Sequence, residues 1–227
     1  MTSDDWPLSG PAWPGAGAAT QERLLDATDR LVRQLGIKKT SMADVARDAG
    51  VARATLYRYF ESREALLNAL THRAADRFFA AVAAAMDTRA TLSGQLGEFS
   101  EMMTRAIHPA QGVAAGSGSG AVGGPGSLEG NRAAMYRMLV GESGQALRRT
   151  ARLLQPYIEA AGERGEVRQD LDLADASEWL ARILLSFTIF QAGIAYEADD
   201  PRSVSEFVRR YAITGLARTE PDATGGR

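Results

Sequence analysis

The 227-residue chain has no cysteine and only two histidines, His72 and His108. Disulfides and thiolate metal sites are therefore excluded, a multi-histidine metal site is not expected, and no cofactor is implied. Aromatic residues make up only 7% of the chain, and lysine occurs only as the adjacent pair Lys38 and Lys39. No stretch approaches the run of uninterrupted apolar residues that a membrane span needs. The opening MTSDDWPLSG is acidic and broken by proline, where a signal peptide would be basic and then apolar. The expectation is a cytoplasmic protein with no membrane contact. No segment alternates cleanly between apolar and polar residues, so no sheet is expected either.

What the chain does have is helical periodicity. Hydrophobic residues make up 45% of the sequence, ordinary for a globular protein with a sizeable core. Residues 1–19, broken by proline and glycine, read as a disordered arm. From a possible N-cap at Thr20, Leu24, Ala27, Leu31 and Leu35 recur at helical steps until Gly36. Ser41 and Asp44 form a capping box for a second helix ending near Ala49. Gly50 permits a left-handed turn, and a third helix starts near Arg53. Ser62 caps a fourth, whose apolar stripe runs on to Met86. Further helices are expected over 91–107, 131–139, 144–161 with a kink at Pro156, 174–195, and 203–216 with Ser203 as N-cap. Residues 111–130 hold eight glycines and read as a flexible loop. The tail from 219 is polar. The fold class expected is all-α with about nine helices: a helix-turn-helix module over 20–67 and a larger helical domain over 68–218.

The net charge of -2 is unevenly spread. Between residues 38 and 63, Lys38, Lys39, Arg47, Arg53, Arg58 and Arg63 outnumber Asp44, Asp48 and Glu61, leaving a local +3 on an acidic protein. In the segment VARATLYRYFESREALL, Leu56 and Phe60 lie within about 40° of each other on a helical wheel, on a core face. Ala54, Thr55 and Arg58 point away, with Arg53, Tyr57 and Tyr59 on the flanks. An exposed face of this kind beside Lys39 and Arg63 suits a duplex groove. Arginine can bond a guanine edge, hydroxyls can reach phosphate, and a small alanine permits close approach. Spacing alone also allows a purely structural helical hairpin.

The order of the residues narrows the choice. TSMADVARDAGVARATLYRYFESREALL resembles the N-terminal signature of the TetR family of bacterial transcriptional regulators, specifically over residues 20–70. The resemblance implies a three-helix DNA-binding domain with Arg53 to Phe60 as recognition helix, a divergent helical regulatory domain, and a homodimer on a double-stranded DNA operator. By position it implies phosphate contacts from Ser41, Thr55, Tyr59 and Arg63, with Arg53, Ala54, Tyr57 and Arg58 facing base edges or their rim. Two positions depart from the pattern. Ala52 stands where a serine commonly caps the recognition helix, and Ala43 where many members carry a polar reader.

The family also implies a small-molecule effector held among the middle helices. Phe99, Met102, Met103, Arg105, His108, Met135, Tyr136 and Trp179 are the candidates, with Arg105 and His108 able to orient a carboxylate or carbonyl. Plain core is the competing reading for each of them. Ile183, Leu184, Phe187, Phe190, Phe207 and Tyr211 exceed what one subunit readily buries and are candidates for a four-helix dimer interface. An enzyme is not expected, since no nucleophile, base and acid stand at a recognisable spacing. A helical ligand- or protein-binding module without sequence-specific DNA binding is the alternative.

Overall fold

The computed structural model describes residues 16–108, 144–190 and 192–217. Among them are eight α-helices: α1 (Ala16–Leu35), α2 (Met42–Asp48), α3 (Arg53–Tyr59), α4 (Arg63–Met86), α5 (Leu92–Ile107), α6 (Gln145–Glu163), α7 (Leu173–Ile189) and α8 (Pro201–Tyr211), with a 3-10 turn over Ile37–Lys39. The only extended pairing among them is an isolated bridge between Val167 and Ala217. The class is all-α. None of these helices is long and apolar enough to cross a membrane. The helix expected over 131–139, the glycine-rich loop over 111–130 and the polar tail lie outside the described residues.

The chain divides into two compact units whose boundary falls within α4, between Arg77 and Phe78. That is ten residues beyond the boundary expected at 67. The first unit is built on α1, α2, α3 and the first turns of α4. Leu24, Leu25, Val45, Leu56, Phe60 and Leu66 fill its core. Arginine side chains then tie the helices together. Arg73, 10% exposed, reaches from α4 to Glu22 at 3.0 Å and Asp26 at 2.7 Å on α1. Arg30 on α1 pairs with Asp48 of α2 at 2.8 Å. The Nη2 of Arg23 donates to the Ala49 carbonyl at 2.7 Å, satisfying one of the open acceptors at the end of α2.

In the second unit α5 packs most extensively against α8, and α6 against α7. Phe99, Leu96, Leu154, Ile158, Leu180 and Leu184 are fully or almost fully buried at its centre. Gly97 permits the close approach of α5 and α8. A Cβ there would run into the Arg209 side chain, with Cγ at 2.8 Å, and would meet the Ser205 Oγ at 2.9 Å.

Several sequence expectations are corrected. Helix α1 begins at Ala16 instead of Thr20, so 16–19 are helical and do not belong to an arm. The helix expected over 144–161 is present as α6, with Pro156 inside it on an exposed position, where it deprives the Arg152 carbonyl of its intrahelical donor. Helix α7 stops at Ile189, not at residue 195. The chain turns at Gly193, where a Cβ would collide with the Tyr196 carbonyl, and Tyr196 folds back onto Phe187 at 5.6 Å between ring centroids. Apolar composition alone gave no hint of that reversal. The N-cap of α8 is Asp200, which accepts from the Arg202 and Ser203 amides, while the Ser203 hydroxyl accepts from Glu197 N–H at 2.9 Å.

Candidate nucleic-acid interface

The helix-turn-helix is formed by α2, the turn through Gly50, and α3. Ser41 caps α2, its oxygen accepting from Asp44 N–H at 3.2 Å. Asp44 in turn accepts from the Ser41 hydroxyl at 2.5 Å and from the Arg47 guanidinium, and a hydrogen bond from the Ser41 backbone to the same carboxyl completes the capping box. The Ser41 side-chain hydrogen bond above all holds the Asp44 carboxyl below its ordinary range, with desolvation opposing it and the Arg47 charge adding to it. The Ser41 hydroxyl proton is thus engaged by a carboxylate, which disfavours the phosphate contact that the resemblance implies for Ser41.

Gly50 adopts φ +64°, and Val51 N–H then donates to the Ala46 carbonyl at 3.0 Å. A side chain would find room there, so the requirement for glycine is the left-handed backbone. Ala52 is the extended N-cap of α3 and offers no side-chain cap. Leu56 and Phe60 are buried, as the wheel requires. Ala54, Arg53 and Arg58 are exposed, Tyr57 is 48% exposed, and Thr55 and Tyr59 are half-buried. Tyr59 packs against the first core, and the Arg58 guanidinium lies 5.5 Å from the centre of its ring. Exposed side chains of α3 thus combine two arginines, a tyrosine hydroxyl and a small alanine.

Across residues 20–63 the cations divide by what they bind. Arg23 and Arg63 donate to backbone carbonyls, and Arg30, Arg33 and Arg47 to carboxylates. Among the described residues, Lys38, Lys39, Arg53 and Arg58 have no hydrogen bond or ion pair to a protein acceptor. These four are exposed. The local positive charge available to a partner is therefore narrower than the sequence count suggests. It comes from the 3-10 turn and from α3. The role of Arg63 was not visible in the sequence, because its carbonyl acceptors lie at Ile37 and Thr40, more than twenty residues earlier.

Residues 24–70 match the family model for bacterial regulatory proteins, tetR family. That segment is similar to the helix-turn-helix of TetR-family transcriptional regulators. Over 68 residues, 29% of this chain and 34% of the relative, the chain is 44% identical to an uncharacterized HTH-type transcriptional regulator of Mycobacterium tuberculosis. Over 64 residues, 26% of this chain and 33% of the relative, it is 34% identical to the HTH-type regulator YvdT of Bacillus subtilis, also uncharacterized. The chain thus matches about a third of the length of these relatives, the third that holds the helix-turn-helix. The fold likeness extends further. A TetR-family transcriptional regulator from Pectobacterium atrosepticum superposes with a TM-score of 0.62 over 92% of this chain and 100% of that one, at 16% identity. Another from Cytophaga hutchinsonii gives 0.56 over 92% and 100%, also at 16% identity. The relatives named here are described as transcriptional regulators.

The effector candidates among the described residues differ in burial. Phe99 and Met103 are buried in its core, and Met102 is half-buried against it. Arg105 is exposed and paired with Glu101 one turn earlier, and His108 is the half-buried C-cap of α5. Trp179 is 54% exposed on α7, whereas its neighbours Leu180 and Ala181 face the core, which excludes plain core as the reading for Trp179. Met135 and Tyr136 lie outside the described residues. Of the dimer candidates, Leu184 is corrected, since it is buried within its own subunit's core. Phe187 and Phe207 are half-buried in an aromatic cluster with Tyr196 and Tyr211. Ile183 is half-buried, whereas Phe190 is 69% and Tyr211 54% exposed.

Proposed function

We propose that the protein is a cytoplasmic, ligand-responsive transcriptional repressor that binds a palindromic operator as a homodimer and is released by a small-molecule effector. The observation that carries DNA recognition is the division of cations: Lys38, Lys39, Arg53 and Arg58 are exposed on one short turn and one short helix, without acidic partners. In this reading Arg53 and Arg58 meet base edges, with Ala54 allowing close approach and Tyr57 at the rim. Thr55 and Tyr59 reach phosphate from their half-buried positions. Two recognition helices roughly 34 Å apart in a dimer would read two half-sites one turn apart. The effector binds in the second unit and prefers a different spacing of the two recognition helices, acting through α4, which carries residues of both units.

Selection of bound duplexes from a random pool, followed by titration in rising salt, tests the DNA reading. A palindromic consensus is expected, with affinity falling steeply as salt increases. Arg58→Ala should relax the choice of sequence, each lost base contact being worth about 1–3 kcal/mol of discrimination. If Arg58→Ala weakens all duplexes equally, α3 does not read sequence.

A further inference from the structure

Arg63 stands at the start of α4, where its charge and its place in the motif suggest a phosphate anchor. Two of its five N–H donors are engaged within the unit. Nε donates to the Thr40 carbonyl at 2.8 Å, and Nη2 donates to the Ile37 carbonyl. Those two carbonyls bracket Lys38 and Lys39. We propose that Arg63 is a positioning residue for a phosphate-binding turn made by Lys38 and Lys39, and that the lysines, not Arg63, make the backbone contact on this side of the helix-turn-helix. The proposal rests on the DNA-binding reading above and deepens it.

The turn has little to hold it otherwise. A 3-10 helix of three residues has poor hydrogen-bond geometry, and the Thr40 N–H to Ile37 carbonyl bond is long at 3.4 Å. Two adjacent ammonium groups repel each other. What fixes the turn is a frame around it. Gly36 enters with φ +83°, and the buried Thr40 donates its hydroxyl to the Gly36 carbonyl at 3.0 Å. Arg63 then closes both ends from another helix, 23 and 26 residues away in sequence. The bracketed lysines are exposed and free of protein acceptors among the described residues, so their ammonium groups are available to an anion. Ser41 follows directly as the cap of α2, which fixes the turn relative to the helix-turn-helix.

A lysine at position 63 separates the two roles. It keeps the positive charge, but a single ammonium point cannot reproduce a planar fork that reaches two carbonyls. The measurement is anisotropy of a labelled mixed-sequence DNA duplex across a potassium chloride series, which reads the number of phosphates neutralised. Thermal melting alongside verifies that each variant is folded. Lys38→Ala and Lys39→Ala should each reduce the salt slope by about one. Arg63→Lys should lower affinity and slope although charge is conserved, and should speed hydrogen exchange at the Lys39 and Thr40 amides. Combined with Lys38→Ala and Lys39→Ala, it should cause no further loss. Wild-type affinity and slope in Arg63→Lys would overturn the assignment of Arg63, as would an independent further loss of about one in slope in the lysine-free background. A wild-type chain that binds no duplex would sink the DNA reading itself, and the lysine turn with it.

Discussion

Ala52 is the position at which this copy of the helix-turn-helix is least supported. Its backbone is already extended, at φ -66° and ψ 147°, which is the conformation an N-cap residue adopts. No rearrangement is needed for a side-chain oxygen to accept from the open amides of α3. Ala52→Ser should therefore stabilise the fold by about 1 kcal/mol, read as a rise in the denaturant midpoint. No change in the midpoint would mean that those amides already have solvent partners of equal quality. Arginine shows the same dependence on context. Arg73 and Arg63 are largely structural, holding carboxylates and carbonyls, whereas Arg53 and Arg58, identical in charge, have no such partners.

Between elements, the tightest constraint is the crossing of α5 and α8. Gly97→Ala places a methyl against the Arg209 stem and the Ser205 hydroxyl. Arg209 is exposed and can swing aside, but Ser205 is buried on a short side chain and cannot. The substitution should cost about 1–3 kcal/mol, measured by urea unfolding, with Ser93→Ala as the milder comparison. Ser93 loses only one exposed hydrogen bond to the Arg209 carbonyl.

Helix α6 is tied to the end of α4 by Tyr157, whose hydroxyl lies 2.8 Å from Asp87 Oδ1 and 3.2 Å from the Ala83 carbonyl. Burial first, then the Asp87 hydrogen bond and charge, push the Tyr157 phenol up to about 12. The folded state holds this proton more tightly than the unfolded chain does. The associated stability is therefore complete below the ordinary tyrosine range, about 10, and is lost as pH rises toward 12. Tyr157→Phe should cost about 1 kcal/mol near neutrality and lose less than wild type across that alkaline limb. Parallel alkaline limbs in the two proteins would show that Tyr157 does not set it.

At the scale of the whole molecule, Trp179, Ile189, Phe190 and Tyr211 are large apolar residues left exposed on α7, its C-terminal cap and α8. Exposed aromatics of this size are costly in an isolated subunit, and a second copy is the proposed cover. Sedimentation equilibrium should give a dimer, and Phe190→Glu combined with Trp179→Glu should give a folded monomer. A wild-type monomer at micromolar concentration, or a double variant that remains dimeric, would remove this interface from the proposal. Because α8 also contributes Val204 and Val208 to the core, substitutions on its buried face would unfold the subunit instead of separating a pair.

The linear sequence determined the all-helical class, the positions of most helices and the helix-turn-helix, because those depend on periodicity, caps and turn residues that are local. Ser41, Gly50, Leu56 and Phe60 do in the structure what their spacing requires. Tertiary structure alone decided the partners. Whether Arg63 meets a phosphate or two carbonyls depends on a turn more than twenty residues away. Whether Trp179 faces a cavity or solvent depends on which face of α7 lies against α6. Hydrophobicity marks a residue as suited to burial, but the geometry of packing between distant segments selects which of them is buried. Charge obeys the same rule: the sequence counts the cations, and the fold determines which of them remain available to a partner.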